Sequence, residues 1–387
     1  MLSEKPGVST RGADASRTPS APRATKKASM LSLHRWIGAS LGILLLLQGL
    51  SGAALVFRDQ LEPVVHPELS VEQSGRRLPV QSLIDTVKIS YPDGKIDRVE
   101  IPRDPLTAIL FKATTAQGGK YLVAVDPYRG EIVRAGGLAS WPFEFFQELH
   151  EYLLVGETGE WVIGVEGLAL LFMAVSGLIA WWPGRGRMAS GFRVVRGRSA
   201  AIFWRTFHRA LGGAIAVMLI FSATTGVLMV FKDPFRDLLR LGGEVVPKPS
   251  AKVAEQTGKP LIAIDALVEK AQQHHGNTPL RELRFPDAEG RGVSIYLDAD
   301  ASPRPLATKL LAYNRYTGAE LGSYIPGRNP VGNEIVDWLF PLHTGAAADG
   351  WLRLFIFLGG IGLSLLGGSG LWLWWKPRLS CEKASRA

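Results

Sequence analysis

The sequence predicts a membrane α-helical fold: four transmembrane helices arranged as a duplicated two-helix unit with pseudo-two-fold symmetry, plus two small α+β domains outside the membrane. Three observations lead to this fold class. Four apolar blocks have membrane-spanning length, the basic residues are unevenly distributed, and one sequence pattern occurs twice in the chain.

The four apolar blocks are each long enough to cross a bilayer. A hydrocarbon core of about 30 Å requires about 20 residues of α-helix. The first block is longer than the apolar run of a typical cleaved signal peptide, which favours a retained span. Glu166, near the start of the second block, is the main charged exception. The predicted spans are 31–57, 161–182, 208–231 and 351–375.

Basic residues predict the orientation of these spans. The link between the second and third spans carries six arginines and no acidic residue. Because positively charged loops remain in the cytoplasm, this link and both termini are predicted to be cytoplasmic. The remaining parts are a disordered basic tail at 1–30, an outer domain at 58–160, the basic link at 183–207, a second outer domain at 232–350 and a tail at 376–387.

One pattern opens both the first and the third span. A His-Arg pair is followed by glycine four residues after the histidine, and seventeen residues after the histidine come a hydroxyl residue and another glycine. The corresponding residues are His34, Arg35, Gly38, Ser51 and Gly52 in the first copy, and His208, Arg209, Gly212, Thr225 and Gly226 in the second.

A second pattern begins just before the second and fourth spans. Twenty-six residues after a histidine come serine, glycine and leucine, and two tryptophans follow. The corresponding residues are His150, Ser176 and Gly177, and His343, Ser369 and Gly370. Because each unit contains two spans, both copies insert the same way up, related by an axis along the membrane normal.

The repeat sorts four of the seven histidines into two pairs. His34 and His208 lie at the cytoplasmic ends of spans, whereas His150 and His343 lie on the outer side. The pseudo-two-fold axis is expected to bring the members of each pair face to face, as six-coordinate haem iron requires. We predict two b-type haems, held non-covalently because the single cysteine, Cys381, excludes a CxxCH attachment.

Other interpretations of these residues remain open from the sequence. A histidine at a helix end is commonly an interfacial polar residue, and zinc or copper also accepts two histidines, although haem suits a site without nearby cysteine or methionine better. Arg35 and Arg209 either pair with haem propionates or only anchor the helices. The other histidines, expected in solvent-exposed loops with a surface metal site at the last two as an alternative, are His66, His274 and His275.

Each outer segment is predicted to contain a helix followed by strands. The first has a helix at Val80–Ser90 and strands at Ile96–Ile101, Thr107–Ala113, Tyr121–Val125 and Glu131–Ala135. The second has a helix at Ala263–Gln273 and strands at Arg281–Phe285, Gly292–Asp298 and Lys309–Asn314. Neither segment contains a Ser-His-Asp arrangement, a phosphate-binding loop or a metal-ligand cluster.

On these residues the chain resembles the PepSY-associated transmembrane helix family, bacterial inner-membrane proteins linked to iron uptake that include ferrisiderophore reductases. The resemblance covers about residues 30–378. It implies that the outer segments are periplasmic PepSY-like domains, that His34 and His208 ligate a cytoplasmic-side haem, and that His150 and His343 ligate a periplasmic-side haem. The matching motifs are the openings His34-Arg35 and His208-Arg209, the turns Asp126–Gly130 and Asn314–Gly318, and the Trp-Trp-Pro and Trp-Trp-Lys-Pro span endings.

The expected function is transmembrane electron transfer that reduces a ferric siderophore, Fe(III) to Fe(II), in the periplasm for iron uptake. The electron donor is an unknown cytoplasmic or membrane partner, because the chain has no flavin or nicotinamide fingerprint. The lipid bilayer is an expected partner, and no nucleic-acid partner is expected. The alternatives are a cytochrome b-like carrier for another periplasmic acceptor and a haem-free PepSY-type binding or regulatory membrane protein.

Overall fold

The computed structural model describes residues 26–286, 291–299, 302–348 and 350–385. Most of the predicted disordered tail at 1–30 lies outside these residues, but its last part is helical, because the first helix begins at Lys26. At the other end, the predicted tail at 376–387 continues the last helix as far as Ser385.

Four long apolar helices are candidates for crossing a membrane. They are α1 (Lys26–Val56), α5 (Glu157–Trp181), α7 (Ala200–Val230) and α11 (Trp351–Ser385). Their most apolar windows have a mean hydropathy of 1.9 to 2.2, and only 22 to 33% of the residues in each window are buried within the protein. Apolar side chains that the protein does not cover suit contact with lipid, and the prediction of four membrane helices is confirmed.

Small residues allow α1 and α11 to approach closely. A Cβ placed on Gly49 lies 2.5 Å from the carbonyl oxygen of Gly360, so no larger residue fits there without a shift. The Ser364 hydroxyl also donates to the carbonyl of Leu46 at 3.1 Å. Glu166, the charged residue in the second span, is 3% exposed and therefore buried within the bundle.

The strands outside the bundle form one eight-stranded antiparallel sheet, in the order β4-β3-β2-β1-β5-β6-β7-β8. The first half supplies β1 (Lys95–Glu100), β2 (Ile109–Thr114), β3 (Lys120–Val125) and β4 (Ile132–Gly137). The second half supplies β5 (Leu280–Arg284), β6 (Gly292–Asp298), β7 (Thr308–Asn314) and β8 (Glu320–Tyr324). The two predicted outer domains thus share a sheet, because the pairing of β1 with β5 covers an edge that each half would otherwise expose.

Two helices cover the middle of this sheet, α3 (Val80–Ser90) and α9 (Ile264–His275). They pack against each other as well as on the strands, within one apolar core. The Asp265 carboxylate of α9 accepts hydrogen bonds from the backbone N–H groups of Val80 and Gln81 at 2.8 and 2.9 Å. The N-terminus of α3 is therefore capped by the other half of the chain.

Sequence analysis missed several shorter elements. These are β8 and the helices α2 (Arg58–Val65), α4 (Pro142–Tyr152), α6 (Met188–Gly191), α8 (Lys232–Arg240) and α10 (Val331–Thr344). The expectation that the other three histidines lie in solvent-exposed loops is also wrong: His274 and His275 are the last two residues of the helix α9, and His66 is buried. Its side chain is 5% exposed and lies against Trp141, with ring centroids 5.6 Å apart.

Candidate functional site

His150 and His343, the sheet-side pair, face each other across the bundle. His150 lies in the last turn of α4 and His343 in the last turn of α10. Their ring centroids are 6.2 Å apart and the ring planes are inclined by 42°. Two imidazoles that bind one metal ion have a similar centroid distance, because each metal–nitrogen bond is about 2 Å long and each ring adds about half its width.

Both rings of the sheet-side pair are held neutral. Removal from water, with a further contribution from the His343 ring, lowers the pKa of His150 to about 3. Removal from water also lowers the pKa of His343. A neutral imidazole retains the lone pair that a metal ligand needs.

His34 and His208, the link-side pair, lie near the N-terminal ends of α1 and α7. Each is seventeen residues along its helix from the hydroxyl residue that contacts the sheet-side pair, Ser51 or Thr225. At 1.5 Å per residue this separates the two levels by about 25 Å along the helix axis.

Every histidine of the two pairs has its Nδ1 atom next to a hydroxyl group of another helix. These hydroxyls also donate to carbonyl groups within their own helices, for example Ser51 to Leu47 at 2.8 Å and Thr225 to Phe221 at 3.0 Å. The four contacts are His34 with Ser176 at 2.9 Å, His208 with Ser369 at 2.9 Å, His150 with Ser51 at 3.2 Å and His343 with Thr225 at 2.9 Å.

These contacts favour one tautomer of each imidazole. A hydroxyl group has one proton. When it donates that proton to a carbonyl of its own helix, its oxygen accepts a hydrogen bond from the histidine, so Nδ1 carries the hydrogen and the lone pair lies on Nε2. In this tautomer Nε2 is the nitrogen available to a metal ion.

The glycine after each hydroxyl residue leaves room for the same imidazole. A Cβ placed on Gly52 lies 2.8 Å from Cε1 of His150, and one on Gly226 lies 3.1 Å from Cε1 of His343. On the link side, Gly177 and Gly370 have the corresponding distance of 3.4 Å to His34 and His208. Each hydroxyl–glycine dipeptide of the repeat therefore contacts the side chain of one of the four histidines. Their spacing is visible in the sequence, but their partners are not.

The donor set fits haem better than a bare metal ion. Each pair offers two imidazole nitrogens, and a porphyrin supplies four more ligands to iron. Among the described residues, no group of three or more His, Cys, Asp or Glu side chains is placed to hold a metal ion. A bare zinc ion in a two-histidine site would lack half of its usual four ligands.

The other two predicted site residues, Arg35 and Arg209, follow the link-side histidines and are exposed. Arg209 Nη2 donates to the backbone carbonyl of Ser190 at 2.9 Å, which ties it to the link between α5 and α7. This contact agrees with an anchoring role, and a role toward haem propionates stays a prediction.

A buried acid anchors each sheet-side histidine helix to the rest of the protein. Glu144 lies six residues before His150, and Asp337 lies six residues before His343. Glu144 pairs with Arg58 and, at 2.9 Å, with Lys112. The corresponding partners of Asp337 are Lys248 at 3.0 Å and Arg304 at 3.3 Å. Sequence reasoning did not find these clusters, although the shared offset of six residues was a usable signal.

Glu144→Gln is expected to destabilise the protein by about 3 kcal/mol, because it leaves Arg58 and Lys112 without their buried partner. Burial alone would raise the pKa of Glu144, but Lys112 and Arg58 hold it below its usual value, so the carboxylate is charged at neutral pH. The apparent melting temperature in detergent measures the loss. Glu72→Gln is the matched control, because that side chain is 89% exposed. Equal melting temperatures for both variants would contradict the anchoring role.

The fold and the site define a class of protein: a four-helix membrane protein with an extramembrane antiparallel sheet and two pairs of histidines between its helices. The family model described as the PepSY-associated TM region matches residues 31–376. The chain belongs to this family, as its sequence motifs predicted. No curated protein matches the chain.

Proposed function

We propose that the chain is a di-haem b-type electron-transfer protein of the inner membrane that reduces a ferric siderophore, Fe(III) to Fe(II), in the periplasm. The facing imidazoles of His150 and His343, with centroids 6.2 Å apart, carry this proposal. The equivalent hydroxyl contacts of His34 and His208 extend it to a second site. Bound haem supplies reversible one-electron chemistry at each pair.

The duplicated unit accounts for two histidines at each site. Both halves run in the order membrane helix, sheet helix, four strands, histidine helix and membrane helix. The strand order is also mirrored about the pairing of β1 with β5. This correspondence supports two PepSY-like domains related by a pseudo-two-fold axis, with one member of each histidine pair contributed by each half.

The orientation follows from charge. Five arginines and no acidic residue lie in the link between α5 and α7, so the positive-inside rule supports a cytoplasmic link and a periplasmic sheet. The link-side pair then faces the cytoplasm and the sheet-side pair faces the periplasm. With a one-electron site at each face, electrons pass through the protein, so a cytoplasmic donor and a periplasmic acceptor do not need to contact each other.

The protein's own residues prepare these sites. The four hydroxyl groups hold each imidazole as the Nδ1–H tautomer, and the adjacent glycines let the rings lie against the helices. Glu144 and Asp337 fix the helices that carry the sheet-side histidines. At the acceptor, ferric iron held by hard oxygen ligands becomes ferrous iron, which those ligands hold less well, and the iron is released.

The test is the dithionite-reduced minus oxidised visible spectrum of the purified protein, with a pyridine haemochromogen count. We expect low-spin b-type bands, two haems per chain, and reoxidation of the reduced protein by a ferric siderophore. Two haems without that reoxidation would instead support a carrier for another acceptor. A colourless protein after expression with ample haem would contradict the proposal and support the haem-free alternative.

Thr225→Val is expected to weaken haem retention at the sheet-side site without removing a ligand. The variant removes the hydroxyl oxygen that lies 2.9 Å from Nδ1 of His343, and loss of such a supporting hydrogen bond commonly costs 10- to 100-fold in metal affinity. The imidazole also becomes a poorer electron donor, so the haem potential rises. A redox titration and the rate of haem loss measure both effects. Thr224→Val is the control, because its hydroxyl bonds only to Ile220 within α7, and equal behaviour of the two variants would argue against the role of Thr225.

A further inference from the structure

A cleft of about 490 Å³ opens in the second half of the extramembrane region. This volume lies in the range of small-molecule sites, about 300–1,000 Å³. No residue lining the cleft in the described part of the chain carries a carboxylate. Its polar lining consists of four basic side chains and two hydroxyl side chains: His274, His275, Lys309, Arg328, Thr278 and Ser302.

Contacts inside the cleft hold two of the basic groups in place. The Lys309 ammonium donates to the carbonyl of His275 at 2.7 Å and to the Thr278 hydroxyl at 3.3 Å, which leaves one of its three N–H bonds for a ligand. A carboxylate oxygen of Glu320 lies 2.9 Å from Nε2 of His275 and holds the ring in place. His274 and Arg328 are exposed, so both are available to a ligand from solvent.

The first half of the chain has no such group of cations at the equivalent positions. Tyr91 and His275 each lie eleven residues after the first residue of their sheet helix, α3 or α9. Tyr121 and Lys309 each lie nine residues before the positive-φ glycine of the following turn, Gly130 or Gly318. In the first half the two tyrosine rings are in contact, with centroids 4.9 Å apart. At the equivalent positions the second half has His275 and Lys309, two of the basic side chains of the cleft.

We propose that the cleft binds an anion that carries several carboxylate or catecholate oxygens. Resting on the proposed function, we assign the anion as a negatively charged ferric chelate or its iron-free chelator. Charge-assisted hydrogen bonds from fixed cations to such oxygens are stronger than neutral ones. A metal ion at His274 and His275, the alternative raised by the sequence, is disfavoured because Lys309 and Arg328 line the same cleft and repel cations.

A short segment of the chain joins the cleft to the helix that carries His343. Ile325, Pro326 and Arg328 line the cleft. They lead into α10, which begins at Val331 and carries His343 in its last turn. A bound chelate therefore contacts the segment that precedes a predicted haem-ligand helix.

The test is calorimetric titration of the purified full-length protein, without reductant, with ferric citrate, with citrate alone and with a neutral ferric trihydroxamate. We expect the anionic ferric complex to bind at least tenfold more tightly than the neutral one. Citrate alone separates the two sources: binding equal to that of ferric citrate identifies the chelator as the ligand, and weaker binding identifies the iron complex. Equal affinity for the neutral complex, or no binding of either anion, would overturn the proposal.

Arg328→Gln is expected to weaken anion binding about tenfold, equivalent to about 1.4 kcal/mol, because it removes a charge-assisted hydrogen bond to the anion. Arg76→Gln is the matched control: it removes one exposed arginine from the other half of the chain and should leave binding unchanged. Equal losses in both variants, or none in Arg328→Gln, would overturn the cleft assignment. A colourless protein that still binds citrate contradicts only the proposed function, and a di-haem protein that binds no anion contradicts only the cleft.

Discussion

His343→Ala is expected to lower the haem content from two to one per chain. The facing rings of His150 and His343 are the only imidazoles within ring contact of each other in the described part of the chain, so His150 has no replacement partner. Six-coordinate haem needs both imidazoles. The pyridine haemochromogen count and the amplitude of the reduced-minus-oxidised spectrum measure the loss directly.

Two double variants test which histidines belong to the same pair. His150→Ala combined with His343→Ala should retain one haem, because both changes affect the same pair. His34→Ala combined with His343→Ala should retain none, because each pair then loses a ligand. His274→Ala is the control, since that histidine is exposed and has no repeat partner. The proposed pairing is wrong if His343→Ala keeps both low-spin haems or if the two double variants retain the same number.

Gly52→Ala adds a single methyl group and is expected to abolish haem binding at the sheet-side pair. The new Cβ lies 2.8 Å from Cε1 of His150, closer than real Cβ contacts come, so the ring must move. The ring is already fixed by Ser51 at 3.2 Å and faces His343. Displacement therefore breaks the alignment of the two imidazoles, and the protein should retain only the link-side haem.

Two other glycine variants provide the comparison. Gly368→Ala lies in the membrane helix α11, where the nearest atom to the new Cβ is a Leu46 methyl at 3.8 Å, so both haems should remain. Gly177→Ala places its Cβ 3.4 Å from His34, an ordinary contact, and should also retain both. Loss of haem in all three variants would mean that general helix packing, rather than contact with His150, explains the effect.

The strands and helices of the extramembrane region were partly predictable because local patterns specify them. The helix at Val80–Ser90 and the strand at Gly292–Asp298 have the predicted bounds. The helices α4 and α10 were missed although they are no shorter than α3, and α3 also lacks a side-chain cap. In α10, Pro341 lies inside the helix, where proline usually marks a helix end.

The link between the two halves was not predictable from local patterns. The register of β1 with β5 pairs Val99 with Leu283, residues far apart in the chain. Either strand alone is consistent with an edge strand in a separate domain, which is why the sequence predicted two domains. The burial of His66 against Trp141 is another long-range result that composition and spacing do not encode.

The sequence by itself determined the four membrane spans, the repeated spacing and the assignment of four histidines to two pairs. Hydropathy acts on each segment alone, and a duplication leaves its register in the chain, so neither requires knowledge of long-range contacts. Only the tertiary structure decided which hydroxyl group meets which imidazole, such as Ser176 with His34 across 142 residues of chain. It also decided that Glu144 and Asp337 anchor the histidine helices and that the second half opens a basic cleft. These features depend on packing between helices and strands distant in sequence, where burial, hydrogen bonding and charge act together.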